Sequence, residues 1–234
     1  GLGDVYKRQQ HVTQAVADML LSRMDPRSPE AEAYRALRTS IQFSSLDRPI
    51  RTIVVTSSGQ DEGKSTTASN LAITMAHIGR RVVLCDADLR RPALHALFGS
   101  PNQAGLSSVV LGASLDEALQ HTETEGLLLL ASGPIPSNPA ELLGSQRMES
   151  VLRDLAGRAD YVVFDTPPVG IVTDGAELAS RADLTLLVIS SGKTRRDEAR
   201  RAKELLDKVR APLVRAVLNN VRLQGRNRYQ YQYQ

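Results

Sequence analysis

Apolar runs bounded by turn residues recur along this chain: T-I-V-V-T, V-V-L-C, L-L-L-L-A, Y-V-V-F and L-T-L-L-V-I. They are nearly continuous rather than alternating, the pattern of parallel strands covered on both faces. Strands are predicted near residues 51–56, 81–86, 127–131, 160–165, 184–190 and 213–219. Polar-apolar stretches with helical spacing lie between them, near 64–79, 92–98, 114–120, 139–156, 174–181 and 194–209. Upstream, Ser28-Pro29-Glu30 reads as a helix start, with Ser28 as N-cap and Pro29 in the first turn. That helix runs to about Ser45, with Tyr34, Leu37, Ile41 and Phe43 expected on its buried side. Strand-helix alternation predicts an α/β, doubly wound, mainly parallel sheet flanked by helices, with its site at the carboxyl ends of the strands. No internal repeat is evident.

Three of those strand ends carry chemistry. Residues 53–66, I-V-V-T-S-S-G-Q-D-E-G-K-S-T, join a strand to a helix, the context a phosphate-binding P-loop requires. Backbone amides of Ser58, Gly59, Gln60, Asp61, Glu62, Gly63, Lys64, Ser65 and Thr66 would cradle phosphate oxygens at the helix N-terminus. Lys64 would bridge the β- and γ-phosphates and Ser65 would ligate Mg²⁺. The match to G-x-x-x-x-G-K-[ST] is imperfect, because Ser58 stands where the first glycine belongs and Gly59 follows one place later. The second motif, Asp86-Ala87-Asp88-Leu89-Arg90, caps the next strand, so both carboxylates should face the same crevice. A nucleotide-binding loop alone does not need it; a phosphoryl transferase holding a metal and deprotonating a hydroxyl does. The third, Y-V-V-F-D-T-P-P at 161–168, ends an apolar strand on Asp165, the position of a Walker B carboxylate that holds Mg²⁺. Three acidic groups around one cation require the metal and Lys64 to offset their repulsion. Asn219, after the last strand, could contact adenine, although Asn is also common in turns. His77, His95 and His121 have no metal-like spacing and receive no role.

The bulk properties constrain this picture without changing it. A chain of 234 residues and 25.5 kDa is the size of one α/β domain with a substantial core. The single cysteine, Cys85, excludes an internal disulfide and reads as a buried thiol in a reducing compartment. The net charge of +3 is unevenly placed, since Arg181–Gln234 holds thirteen Lys/Arg against five Asp/Glu, an excess of +8. That excess reads either as a solvated helix face or as attraction to an acidic partner or anionic membrane. No apolar run is long enough to span a membrane. The opening G-L-G-D-V-Y-K-R-Q reads as a truncation edge or an expression or assembly remnant, which leaves open a membrane-spanning region encoded upstream. Residues 1–27 are therefore an uncertain N-terminal segment, 28–221 the domain, and 222–234 a flexible, biased tail containing Tyr229, Tyr231 and Tyr233.

The ordered trio of P-loop, D-x-D-x-R and D-x-x-P, ending in a tyrosine cluster, resembles the bacterial protein-tyrosine kinases of capsule and exopolysaccharide assembly. Glu32-Ala-Tyr-Arg35-Ala-Leu-Arg38 is similar to that family's E-x-x-R-x-x-R helix, linked to ring-shaped oligomers. Residues 133–143 and 165–174 also look like family blocks, so the resemblance spans roughly residues 28–234. It implies a P-loop kinase domain that uses ATP and Mg²⁺ to phosphorylate tyrosine, with one subunit's Tyr229, Tyr231 and Tyr233 entering a neighbour's site. In that scheme Asp86 receives or orients the tyrosine proton, Asp88 places the metal's water shell, and Arg90 steadies carboxylates or phosphates. Glu32, Arg35 and Arg38 would form subunit contacts; by themselves they read as an ion-paired helix face. The implied partners are other copies in a ring, protein tyrosine substrates, and a transmembrane co-polymerase-type activator, separate or fused upstream. The implied location is cytoplasmic, at the inner face of the membrane, with no nucleic-acid partner. The rival reading is a nucleotide-gated, membrane-associated switch ATPase of the partition or division-site type. Those relatives typically carry an extra Lys early in the loop, which Thr56–Glu62 lacks.

Overall fold

The computed structural model describes residues 19–44 and 49–221. Seven strands form one sheet: β1 (Thr52–Ser57), β2 (Val82–Asp86), β3 (Leu119–His121), β4 (Leu127–Leu130), β5 (Tyr161–Asp165), β6 (Leu184–Ser190) and β7 (Val214–Asn219). Their order is β3-β4-β2-β5-β1-β6-β7. Every pairing is parallel except that of the short edge strand β3 with β4. The apolar runs become strands because both faces are covered: β1, β2 and β5 are buried along their whole length. Side chains alternate between the two faces, so Val54 enters one core cluster while Ile53 and Val55 enter the other.

The helices are α1 (Pro29–Ser44), α2 (Lys64–Ala76), α3 (Leu94–Leu97), α4 (Leu106–Val110), α5 (Leu115–Ala118), α6 (Pro139–Gly144), α7 (Gln146–Arg158), α8 (Asp174–Ala179) and α9 (Arg196–Lys208). Helix α2 is buried at every position from Thr67 to Ala76, wedged between the sheet and α1. That burial explains its small, apolar composition. On α1, Ala31 and Ile41 are buried while Tyr34 and Leu37 pack against the core at its margin.

Three expectations need correction. Phe43 is 68% exposed, because it lies two residues past Ile41 and a helix turns about 200° over that step. The helix expected at 114–120 stops at Ala118, and Leu119 turns extended to begin β3. The helix expected at 139–156 is two: Ser145 is extended, and its hydroxyl accepts from Met148 N at 3.1 Å to cap α7. Helix α4, at 106–110, had no sequence signal strong enough to predict it. Cys85 is buried, as expected.

Candidate active site

Strand order decides the site. Inserting β5 between β1 and β2 sets Asp165 in register with both Val55 and Asp86, so the two carboxylates end adjacent strands at one level. The phosphate-binding loop leaves β1 beside them and turns into α2. Gly63, with φ of 88°, makes that turn; a Cβ there would also lie 2.0 Å from Asn219 Nδ2. Only glycine satisfies both constraints. Asp61 takes φ of 54° without being glycine, a local cost of about 1–2 kcal/mol that the surroundings must offset.

The Lys64 ammonium donates to Asp88 Oδ2 at 2.9 Å and reaches Asp165 Oδ1 at 3.5 Å, with Ser65 Oγ at 3.4 Å. Its side chain is 13% exposed, against 5% for Asp88 and 0% for Asp165. Burial alone would lower the Lys64 pKa, but the carboxylates of Asp165, Asp88 and Asp86 outweigh it and hold the pKa above the ordinary value. Asp165 is raised chiefly by burial, against the pull of Lys64 and the Ser65 hydroxyl. Its Oδ2 is buried without a hydrogen-bond partner.

Asp86 lies wholly inside. Its Oδ2 accepts from the amides of Ala93 and Leu94 at 3.0 and 2.9 Å, and Oδ1 accepts from Asp88 N at 3.2 Å. Burial first, and the Asp165 carboxylate second, push its pKa up to about 8, against those amides and Lys64. Asp88 spends Oδ1 on Arg91 N at 3.0 Å. The loop after β2 is thus folded around its own two carboxylates.

The P-loop lysine, Asp86, Asp88 and Asp165 therefore lie together at the carboxyl ends of the strands, as the motif spacing predicts. Arg90 differs: its guanidinium is taken up by buried Asp174, Nε to Oδ2 at 2.8 Å and Nη2 to Oδ1 at 3.1 Å, rather than by the motif carboxylates or left free for phosphates. A carboxylate in a helix's first turn usually complements the helix dipole, so nothing local marked Asp174. Asn219 donates to Glu62 O at 3.0 Å, bracing the loop from behind. Arg38 turns inward and donates to Thr74 O at 3.1 Å, whereas Glu32 and Arg35 pair on the surface at 3.1 Å. All three line an open groove of about 860 Å³ beside Phe43 and Arg215. Tyr229, Tyr231, Tyr233 and the rest of 222–234 lie outside the described residues, as do 1–18.

The residues fit a magnesium nucleotide. Asp165 Oδ2 offers an unspent lone pair beside the Ser65 hydroxyl, and Lys64 stands where β- and γ-phosphates would follow the loop. Among the described residues no group of three His, Cys, Asp or Glu could hold a metal alone. The Lys64 ammonium lies among the three acidic side chains and offsets part of their repulsion. A magnesium ion would take most of its ligands from phosphate and water, as it commonly does.

The family described as an AAA domain matches residues 50–197. The chain is 43% identical over 213 residues to the tyrosine-protein kinase YwqD of Bacillus subtilis, covering 91% of this chain and 90% of that protein. The chimerical protein CapA2B2 superposes with a TM-score of 0.84 at 36% identity, covering 88% of this chain and 91% of that one. The kinase domain of the Escherichia coli tyrosine kinase ETK gives 0.83 at 32% identity, covering 86% and 80%. The septum site-determining protein MinD of Pyrococcus horikoshii, at 22% identity and a TM-score of 0.61, shares the fold alone.

Proposed function

The chain belongs to the bacterial protein-tyrosine kinase family, and from that premise we propose that it transfers the γ-phosphoryl group of ATP to its own C-terminal tyrosines in trans. The observation that carries this reading is the Lys64 ammonium held between Asp88 and Asp165, with Asp86 directly behind. A loop for phosphates and a carboxylate that gains protons near neutral pH stand within one crevice. Phosphoryl transfer asks for little more than positioning and charge stabilisation.

Lys64, which pairs with Asp88 and Asp165, would meet the β- and γ-phosphates. The tyrosine oxygen attacks the γ-phosphorus, the bond to the ADP oxygen breaks, and the phenolic proton passes to Asp86. Burial and the neighbouring Asp165 carboxylate raise the Asp86 pKa, so its ionised form would hold a received proton more firmly than an ordinary carboxylate. Asp86 Oδ1 receives only one, long amide bond and keeps a lone pair for the proton. Asp165 and Ser65 would hold the magnesium ion, which supplies neutralisation of the phosphate charge when bound. Asp174 fixes Arg90 and, through it, the loop that carries Asp88. The same premise supports a ring of copies contacting through Glu32 and Arg35, an activating transmembrane partner, and a role in capsule or exopolysaccharide export. Among the described residues, no helix is long and apolar enough to cross a membrane.

The test is incubation of the pure chain with ATP and Mg²⁺, followed by phosphotyrosine detection and intact-mass measurement. Label that disappears on deleting residues 229–234 supports the autokinase. Steady phosphate release without label overturns it in favour of the switch ATPase.

A further inference from the structure

A buried carboxylate in the phosphate-binding loop is held by hydrogen bonds. Glu62 is 3% exposed, and its Oε2 accepts from the amides of Ser58 and Gly59 at 2.8 and 2.9 Å. Its Oε1 accepts from the Thr194 hydroxyl, which in turn accepts from Ser190 N at 2.9 Å. Next to it, Lys193 Nζ donates to the carbonyls of Gln60 and Asp61, both at 2.9 Å. Those two carbonyls flank the left-handed backbone of Asp61.

These contacts have a common sense. Glu62 closes the loop's entrance on itself, at the place where Ser58 replaces the usual first glycine. Lys193 holds the strained apex, and Thr194 fixes the carboxylate that closes the entrance. The amides at the start of α2, which no helix can satisfy internally, are left to point outward at an anion. Both outside residues belong to the connection between β6 and α9, more than 130 positions from the loop they hold.

We propose that Lys193 and Thr194 are positioning residues for nucleotide binding, acting through Glu62 and the apex carbonyls as a latch that keeps the phosphate-binding loop in its receiving shape. The proposal rests on the nucleotide site of the proposed function but not on tyrosine as the acceptor. A loop that must be held in shape gives up affinity when released, whereas the chemical step, once ATP is bound, proceeds with the same groups.

The test measures binding of a fluorescent ATP analogue with Mg²⁺ to the full chain, alongside KM for ATP and kcat. Thr194→Val should weaken binding about tenfold, the equivalent of about 1.4 kcal/mol. KM for ATP should rise in parallel, kcat at saturating ATP should stay within about twofold, and Thr194→Ser should restore affinity. Combining Thr194→Val with Glu62→Gln should add less than the product of the separate losses, because both break one contact. Lys193→Met, at an exposed side chain, gives the same readout should Thr194→Val fail to fold. Wild-type affinity in both Thr194→Val and Lys193→Met, full multiplication in the double variant, or an equal fall in kcat overturns the latch. Normal nucleotide binding by wild type without tyrosine phosphorylation sinks the kinase reading and leaves the latch standing; no binding at all sinks both.

Discussion

Replacing Lys64 with Met should reveal the electrostatic design of the site even without nucleotide. The ammonium bridges two carboxylates that are 5% and 0% exposed, and a third, Asp86, feels its charge. Removing one member of a buried ion pair costs about 3–5 kcal/mol, because the remaining charge is left without compensation. A domain near the middle of the usual range, about 10 kcal/mol, stays folded after that loss. The deficit should depend on pH in a defined direction. Asp86 and Asp165 already have raised pKa values in the folded protein, and losing Lys64 raises them further. A carboxylate with a raised folded pKa adds stability below its unfolded pKa, and that contribution disappears as pH rises through the folded value. The variant should therefore be closer to wild type at about pH 6, where protonation relieves the repulsion, than at about pH 9. Urea unfolding of both proteins at the two pH values, without nucleotide or Mg²⁺, makes the comparison. Asp88→Asn added to Lys64→Met should recover part of the loss. A deficit under about 1 kcal/mol, or one larger on the acid side, would refute the buried-bridge reasoning.

Asp86→Asn should flatten the pH dependence of wild-type stability. Between the ordinary carboxylate pKa of 3.8 and the folded value of about 8, the native state holds the extra proton, so stability falls as pH rises, by at most about 1.4 kcal/mol per pH unit; thermal melts across that range read it. Asp174→Asn should weaken the grip on Arg90 and cost about 1–3 kcal/mol in chemical denaturation, with tyrosine phosphorylation falling more than ATP affinity. Gly63→Ala should abolish nucleotide binding in calorimetry, since its Cβ would collide with Asn219 at an angle only glycine adopts cheaply. For the assembly, three phosphotyrosines carrying roughly −1.5 to −2 each would outweigh Arg222, Arg226 and Arg228. Sizing light scattering with ATP should then give a smaller mass for wild type than for Lys64→Met; equal masses contradict the charge switch.

Much of the candidate site was visible in the residues alone. The helix start at Ser28-Pro29, the doubly covered strands and the acidic strand ends are local features, set by backbone geometry and by which side chains tolerate burial. Periodicity over a few residues reports such features faithfully. Tertiary structure alone decided that β5 lies between β1 and β2, which is what places Asp165 beside Asp86. It also decided that Arg90 spends its charges on Asp174, that Arg38 turns inward while Phe43 faces solvent, and that Thr194 and Lys193 hold a loop far away in sequence. Contacts of that kind are fixed by sheet order and close packing. Their partners are too distant along the chain to leave a periodic trace in either segment.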